Sequence, residues 1–167
     1  MPLSHDHRRF LQYKAWADAR LYGALAELPA AALTAPQPIV FGSILRTLHH
    51  VYAMDRVWQA HLEGRPHGYE TRNPADCPSF AALAPAQAAI DAWYLDYGAG
   101  LSPAAVGEVL DIAFIGGGSV RMSRGEILLH VVNHTTYHRG HIAAMIAAIP
   151  AEPPGTDLPI FLRETAA

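Results

Sequence analysis

A chain of 167 residues, 51 % of them hydrophobic, is long enough to bury a sizeable core, and a single domain over residues 1–167 is expected. Its formal charge of −3 gives no broad positive field, which argues against nucleic acid or an anionic membrane as partner, and no stretch is long and apolar enough to span a bilayer. One cysteine, Cys77, excludes an internal disulfide and a cysteine-based zinc cluster, while the polar start MPLSHDHRRF lacks an export signal's apolar core, so a cytoplasmic location is expected.

In chain order, Phe10, Tyr13, Ala17, Leu21, Leu25 and Leu28 recur at three- and four-residue steps and stop before Pro29, which predicts a first helix over residues 4–28. Residues 29–40 carry three prolines and no helical pattern, and read as a loop. A second helix is expected over residues 42–63, with Ile44, Leu48, Val51, Trp58 and Leu62 as its inner seam and Gly64 closing it. Each helical residue turns about 100° from the last, so His50 falls on the flank of that arc with Met54 and Val57, while His49 turns toward Arg56 and Ala60. His50 is therefore the inward-facing candidate of the pair. Asp55 sits inside the seam, where a bare carboxylate is costly unless a cation or hydrogen-bond donor meets it.

Residues 64–78 form a polar connection long enough to cross the end of a bundle, and a third helix follows over residues 79–97. Pro85 is awkward inside it; the favoured reading is a short turn at residues 79–83 with Pro85 in the first turn of the true helix. The stretch EVLDIAFIGGGSVRMSR then places two short β-prone segments around Gly116, Gly117 and Gly118, as a hairpin or a pair of extended arms. No Lys-Ser or Lys-Thr follows the glycines, which removes a phosphate-loop reading.

A fourth helix is predicted over residues 123–149, opened by a capping signal of Ser123 with Glu126 and closed by Pro150. His130, His134, His138 and His141 fall within a sector about 80° wide, with Ile127, Val131, Met145 and Ile149 on or beside it. Imidazoles on a buried face need partners, because an unpaired buried polar group costs about 1–3 kcal/mol. The pair His134 and His138, one turn apart, is spaced to grip one divalent ion. Gly140 inside this helix suggests the close approach of another helix, and beyond it Ile160, Phe161 and Leu162 are expected to dock a short turn onto the bundle.

With these segments in place, the chain resembles the DinB/YfiT-like family of metal-dependent enzymes. The matching pieces are YKAWADARL, TLHHVYAMDRVW, HVVNHTTYHRGHI and DLPIFLRE. The resemblance implies an all-α, four-helix bundle of up-down-down-up course and a divalent metal, nickel or zinc foremost with iron or manganese as alternatives. Its ligands, carried over by position, are His50, His134 and His138. His141 stands where many relatives have glutamine, leaving open a fourth imidazole near the metal. His130 and His141 are expected to line the pocket or support the ligands; Asp55 either orients a ligand or pairs with Arg139, and Arg139 and Asp18 are expected in structural pairs.

Three neutral imidazoles leave an ion its full charge and an open position, so metal-assisted hydrolysis and thiol transfer both fit. Relatives in the family include transferases that use small bacterial thiols such as bacillithiol or mycothiol, which makes a low-molecular-weight thiol a candidate co-substrate. The expectation is a metal-dependent hydrolase or thiol-dependent S-transferase acting on a small molecule. The alternative is a non-catalytic metal- or ligand-binding bundle, a stress-related interaction protein. A homodimer through exposed helix faces is also expected. Trp16, Trp58 and Trp93 read as core, and Cys77, without a nearby base, as non-catalytic.

Overall fold

The computed structural model describes residues 6–166, so the predicted helix start at residue 4 lies outside the described residues. The long helices are α1 (Asp6–Ala26), α3 (Ile44–Leu62), α4 (Phe80–Gly100) and α6 (Arg124–Ala147). Three short ones join or follow them: α2 (Ala30–Thr34), α5 (Pro103–Val106) and α7 (Leu158–Glu164).

Side-chain contacts fix the course of the bundle. Arg8 bonds the Gly98 carbonyl and Tyr22 stacks on Phe80, so α1 and α4 are antiparallel. The Tyr94 hydroxyl donates to the Asp55 carbonyl and the Tyr97 hydroxyl to that of Leu62, so α3 and α4 run parallel. Trp58 packs on His130 and His50 on His138, which sets α6 antiparallel to α3. The course is up-down-down-up, and its two parallel central helices explain why residues 63–79 must travel back along the bundle.

Local chemistry accounts for the helix ends. Ser43, Ser79 and Ser123 each accept a backbone N–H of the following turn, and Glu126 returns a bond to the Ser123 N–H to complete a capping box. The structure corrects the reading of Pro85, which lies inside a continuous α4. The Ser79 cap starts that helix, and Leu83, fully buried with Ile44, Leu48 and Ile142, holds the first turn helical although Pro85 forfeits one hydrogen bond. Residues 29–40 are likewise not all loop. Leu33 is buried at 3 % exposure and pins an alanine-rich turn as α2, too short to show periodicity.

Strands β1 (Val109–Ala113) and β2 (Ser119–Ser123) form an antiparallel hairpin, in register from Val109 opposite Ser123 to Ala113 opposite Ser119. Gly116, Gly117 and Gly118 all have positive φ, from +85° to +101°, which is why the turn needs glycine. In α7 only Phe161 is buried, against Tyr13 and Trp16, while Leu162 stays 40 % exposed.

The core has two apolar clusters, and polar side chains fall where they meet. Lys14 and Asp18 lie between Leu11 and Leu21 on α1, Gln87 between Leu83 and Ile90 on α4, and Thr135 and Arg139 between Val132 and Ile142 on α6. The Lys14 ammonium touches Asp18 (3.0 Å), Asp55 (2.9 Å) and Asp91. Among the described residues no helix is long and apolar enough to cross a membrane.

Candidate metal centre

His50 projects from α3, and His134 and His138 from successive turns of α6. One ring nitrogen from each lies within 4.8 Å of the others. His50 Nδ1 is 2.8 Å from the Arg72 carbonyl oxygen, which can only accept, so Nδ1 carries the proton and the Nε2 lone pair is free. That Nε2 is 3.2 Å from His134 Nε2. The His138 ring stands edge-on to both, with centroids 4.7 Å from His50 and 4.5 Å from His134. Phe41 stacks on His50 at 4.1 Å and closes one side.

Burial and mutual repulsion keep these rings neutral. Burial first, then the neighbouring imidazoles, bring the His134 pKa down to about 3; burial, His50 and His141 bring His138 to about 4. Burial also lowers His50, against the opposing effect of the Arg72 carbonyl. Neutral imidazoles with converging lone pairs are the donor set a divalent cation takes. The 3.2 Å between two Nε2 atoms is also the separation reached by nitrogens sharing an ion at ~2.0–2.1 Å each with a roughly tetrahedral angle. The residues present therefore fit a divalent metal, with His50, His134 and His138 to hold it.

A cavity of about 650 Å³ opens against all three histidines. Met54, Val57 and Trp58 of α3 wall it on one side, and Ala113, Phe114 and Ile115 of the hairpin on the other. His130 lines it, its ring tilted against Trp58 with centroids 4.6 Å apart, as does His61. Trp58, read from the sequence as core, is buried and forms cavity wall as well.

The remaining candidates lie elsewhere. His141 touches His138 and Tyr137 but does not line the cavity. Asp55 does not pair with Arg139; it takes Lys14 at 2.9 Å and the Gln87 amide at 3.0 Å, because α1 and α4 bring those donors to it first. Arg139 bonds the Tyr13 hydroxyl and Thr136, and stands 3.9 Å from Asp18. His49 is as buried as His50, at 5 % exposure, but is no part of the cluster. Gly140 meets no approaching helix, since a Cβ there would find nothing within 4 Å.

The DinB family model matches residues 1–166. The chain belongs to the DinB family. Protein DinB of Bacillus subtilis (strain 168) is 26 % identical to it over 165 residues, which cover 94 % of this chain and 95 % of the relative. A DinB-like protein from Bacillus cereus ATCC 10987, solved by crystallography, matches 87 % of this chain and 94 % of its own with a TM-score of 0.65. At 17 % identity that likeness speaks for the DinB-like fold alone. Within this fold the hairpin before α6 places Phe114 and Ile115 at the three-histidine cavity of this DinB-family chain.

Phe41, His61 and Arg72 went unnoticed in the sequence. Phe41 and Arg72 lie in connections, where no periodicity reveals facing; only His61, one turn beyond Val57 on the His50 flank of α3, carried a helical signal.

Proposed function

We propose that this chain is a divalent-metal-dependent enzyme acting on a small molecule, as a hydrolase or a small-thiol-dependent S-transferase, with His50, His134 and His138 as ligands. The observation that carries this reading is the 650 Å³ cavity set against three converging imidazoles, with no fourth His, Cys, Asp or Glu joining them among the described residues. A centre that only ties helices together is typically closed by four protein ligands, whereas catalytic centres keep a position open.

A divalent ion in this position supplies Lewis acidity, lowering the pKa of a coordinated water or thiol and polarising an acceptor group. The protein's own contributions are local. Arg72, through its carbonyl, holds the His50 ring with Nε2 turned to the cluster. Phe41 and Trp58 keep bulk water from the imidazoles, and the apolar hairpin segment Ala113 to Ile115 shelters a bound molecule from above.

Elemental analysis of protein purified without an affinity tag tests the reading. About one divalent ion per chain is expected, lost in His134→Ala and His138→Ala and retained in His49→Ala. Equal loss in His49→Ala and His50→Ala would mean that the ligand from α3 is misassigned, whereas no uptake of zinc or nickel on titration would remove the metal centre and with it the enzymatic reading.

A further inference from the structure

The cavity over the three histidines is lined by one permanently charged side chain, Arg72, and by no Asp or Glu, although the chain has more acidic residues (15) than Lys and Arg (12). Arg20, Arg65, Arg124 and Arg139 each stand within 4 Å of a carboxylate. Arg72, like Arg46 and Arg56, has no such partner among the described residues, but of these it alone lines the cavity; its exposed side chain is tied only by a long hydrogen bond, from Nη2 to the Ile115 carbonyl at 3.4 Å. Its backbone is anchored, because its own carbonyl accepts from His50 Nδ1 at 2.8 Å. An unpaired guanidinium thus stands on a fixed base beside the histidine cluster.

We propose that the cavity selects small molecules bearing a carboxylate on an apolar, preferably aromatic, body. The carboxylate pairs with Arg72, and the body lies against Phe41, Trp58 and Phe114. This rests on the metal-dependent reading only for where the reacting group goes. Guanidinium and carboxylate match as planar forks through two parallel N–H···O bonds, and Arg72, exposed, stands where the carboxylate keeps contact with solvent while the apolar body enters the cavity. With no second Arg or Lys in the lining, the site matches one carboxylate better than a phosphate dianion. A cationic ligand finds no counter-charge there, and the neutral histidines do not compete for the guanidinium.

The test is isothermal titration of the zinc-loaded protein with phenylacetate and hydrocinnamate, against the uncharged isosteres phenylacetamide and hydrocinnamamide. The acids should bind tighter than the amides by about two- to fivefold, as expected for a charge pair at an exposed guanidinium. Arg72→Met should erase that preference with zinc content unchanged, since the His50 contact is made by the backbone, and Arg72→Lys should keep part of it. The preference should persist after the metal is stripped with a chelator. Equal binding of acids and amides, or no binding of the acids, would overturn the proposal. So would a preference that survives Arg72→Met and vanishes with the chelator, because the carboxylate would then be held by the ion. Wild-type protein that takes up no zinc yet shows the Arg72-dependent preference would sink the metal reading and leave this one standing.

Discussion

Lys14 is 1 % exposed, and its ammonium meets three carboxylates from three helices: Asp18 of α1, Asp55 of α3 and Asp91 of α4. With Arg139 near Asp18, the group holds two cations against three acids, so one carboxyl is left to keep a proton. Burial, against the attraction of Lys14, raises the Asp91 pKa from 3.8 to about 7, and burial raises Asp55 as well. The folded chain therefore binds a proton that the unfolded chain releases near pH 4, and stability should fall as pH rises from there to about 7. Lys14 itself, raised well above 10.5, adds no slope in that window: its contribution is complete below its unfolded pKa and is lost only above it. Asp91→Asn keeps an acceptor for Lys14 and Gln87 without the charge. Denaturant melts across pH 4 to 8 should show a flatter profile than wild type; parallel profiles would mean that Asp91 stays ionised throughout. Lys14→Met leaves the acids unneutralised and should cost about 3–5 kcal/mol at pH 8, with part recovered on acidification. The sequence held a trace of this node, since Lys14 falls inside the apolar arc of Phe10, Ala17 and Leu21. What it could not give was the partner, because Asp55 and Asp91 reach Lys14 only after three helices have packed.

On the scale of the helix, α6 was the most legible element. Its capping box stood in the sequence, and its 3.6-residue period turned the histidines and the apolar residues to one face. The glycine inside it misled at position 140, where a missing side chain says nothing about whether a neighbour arrives. With no atom within 4 Å of a Cβ and the position exposed, Gly140→Ala should stabilise the chain by about 0.5–1 kcal/mol through the backbone entropy of the unfolded state. A loss of stability, read by urea unfolding with oligomeric state followed alongside, would mean that the face is packed against something outside this chain. In α4 the proline rule lost to packing. Leu83 is buried on one side of the helix while Pro85 is exposed, so core contacts hold a turn that local propensity resists. Pro85→Ala removes little packing and restores a backbone donor, so it should raise stability too.

For the molecule as a whole, the candidate centre joins the two antiparallel helices whose histidines could be read from period and spacing, α3 and α6. The rest of its wall, Phe41, Arg72 and the hairpin tip, comes from connections that the bundle's up-down-down-up course carries back over that end, which is why only the helical part of the site was visible beforehand. This architecture ties metal occupancy to global stability, because the three nitrogens are assembled only when α3 and α6 are packed. An ion that binds the folded chain alone stabilises it by RT ln(1 + [L]/Kd), about 2.7 kcal/mol at a free concentration a hundred times Kd. For a chain of this size that is a rise in Tm of roughly 5–10 °C. Zinc added to chelator-treated wild type should produce such a rise, and His138→Ala should show almost none. Pro85→Ala lies on α4, away from the three histidines, so its own gain should add to the zinc shift rather than replace it. A zinc shift of equal size in His138→Ala would place the ion elsewhere on the chain and detach the cavity from any metal chemistry.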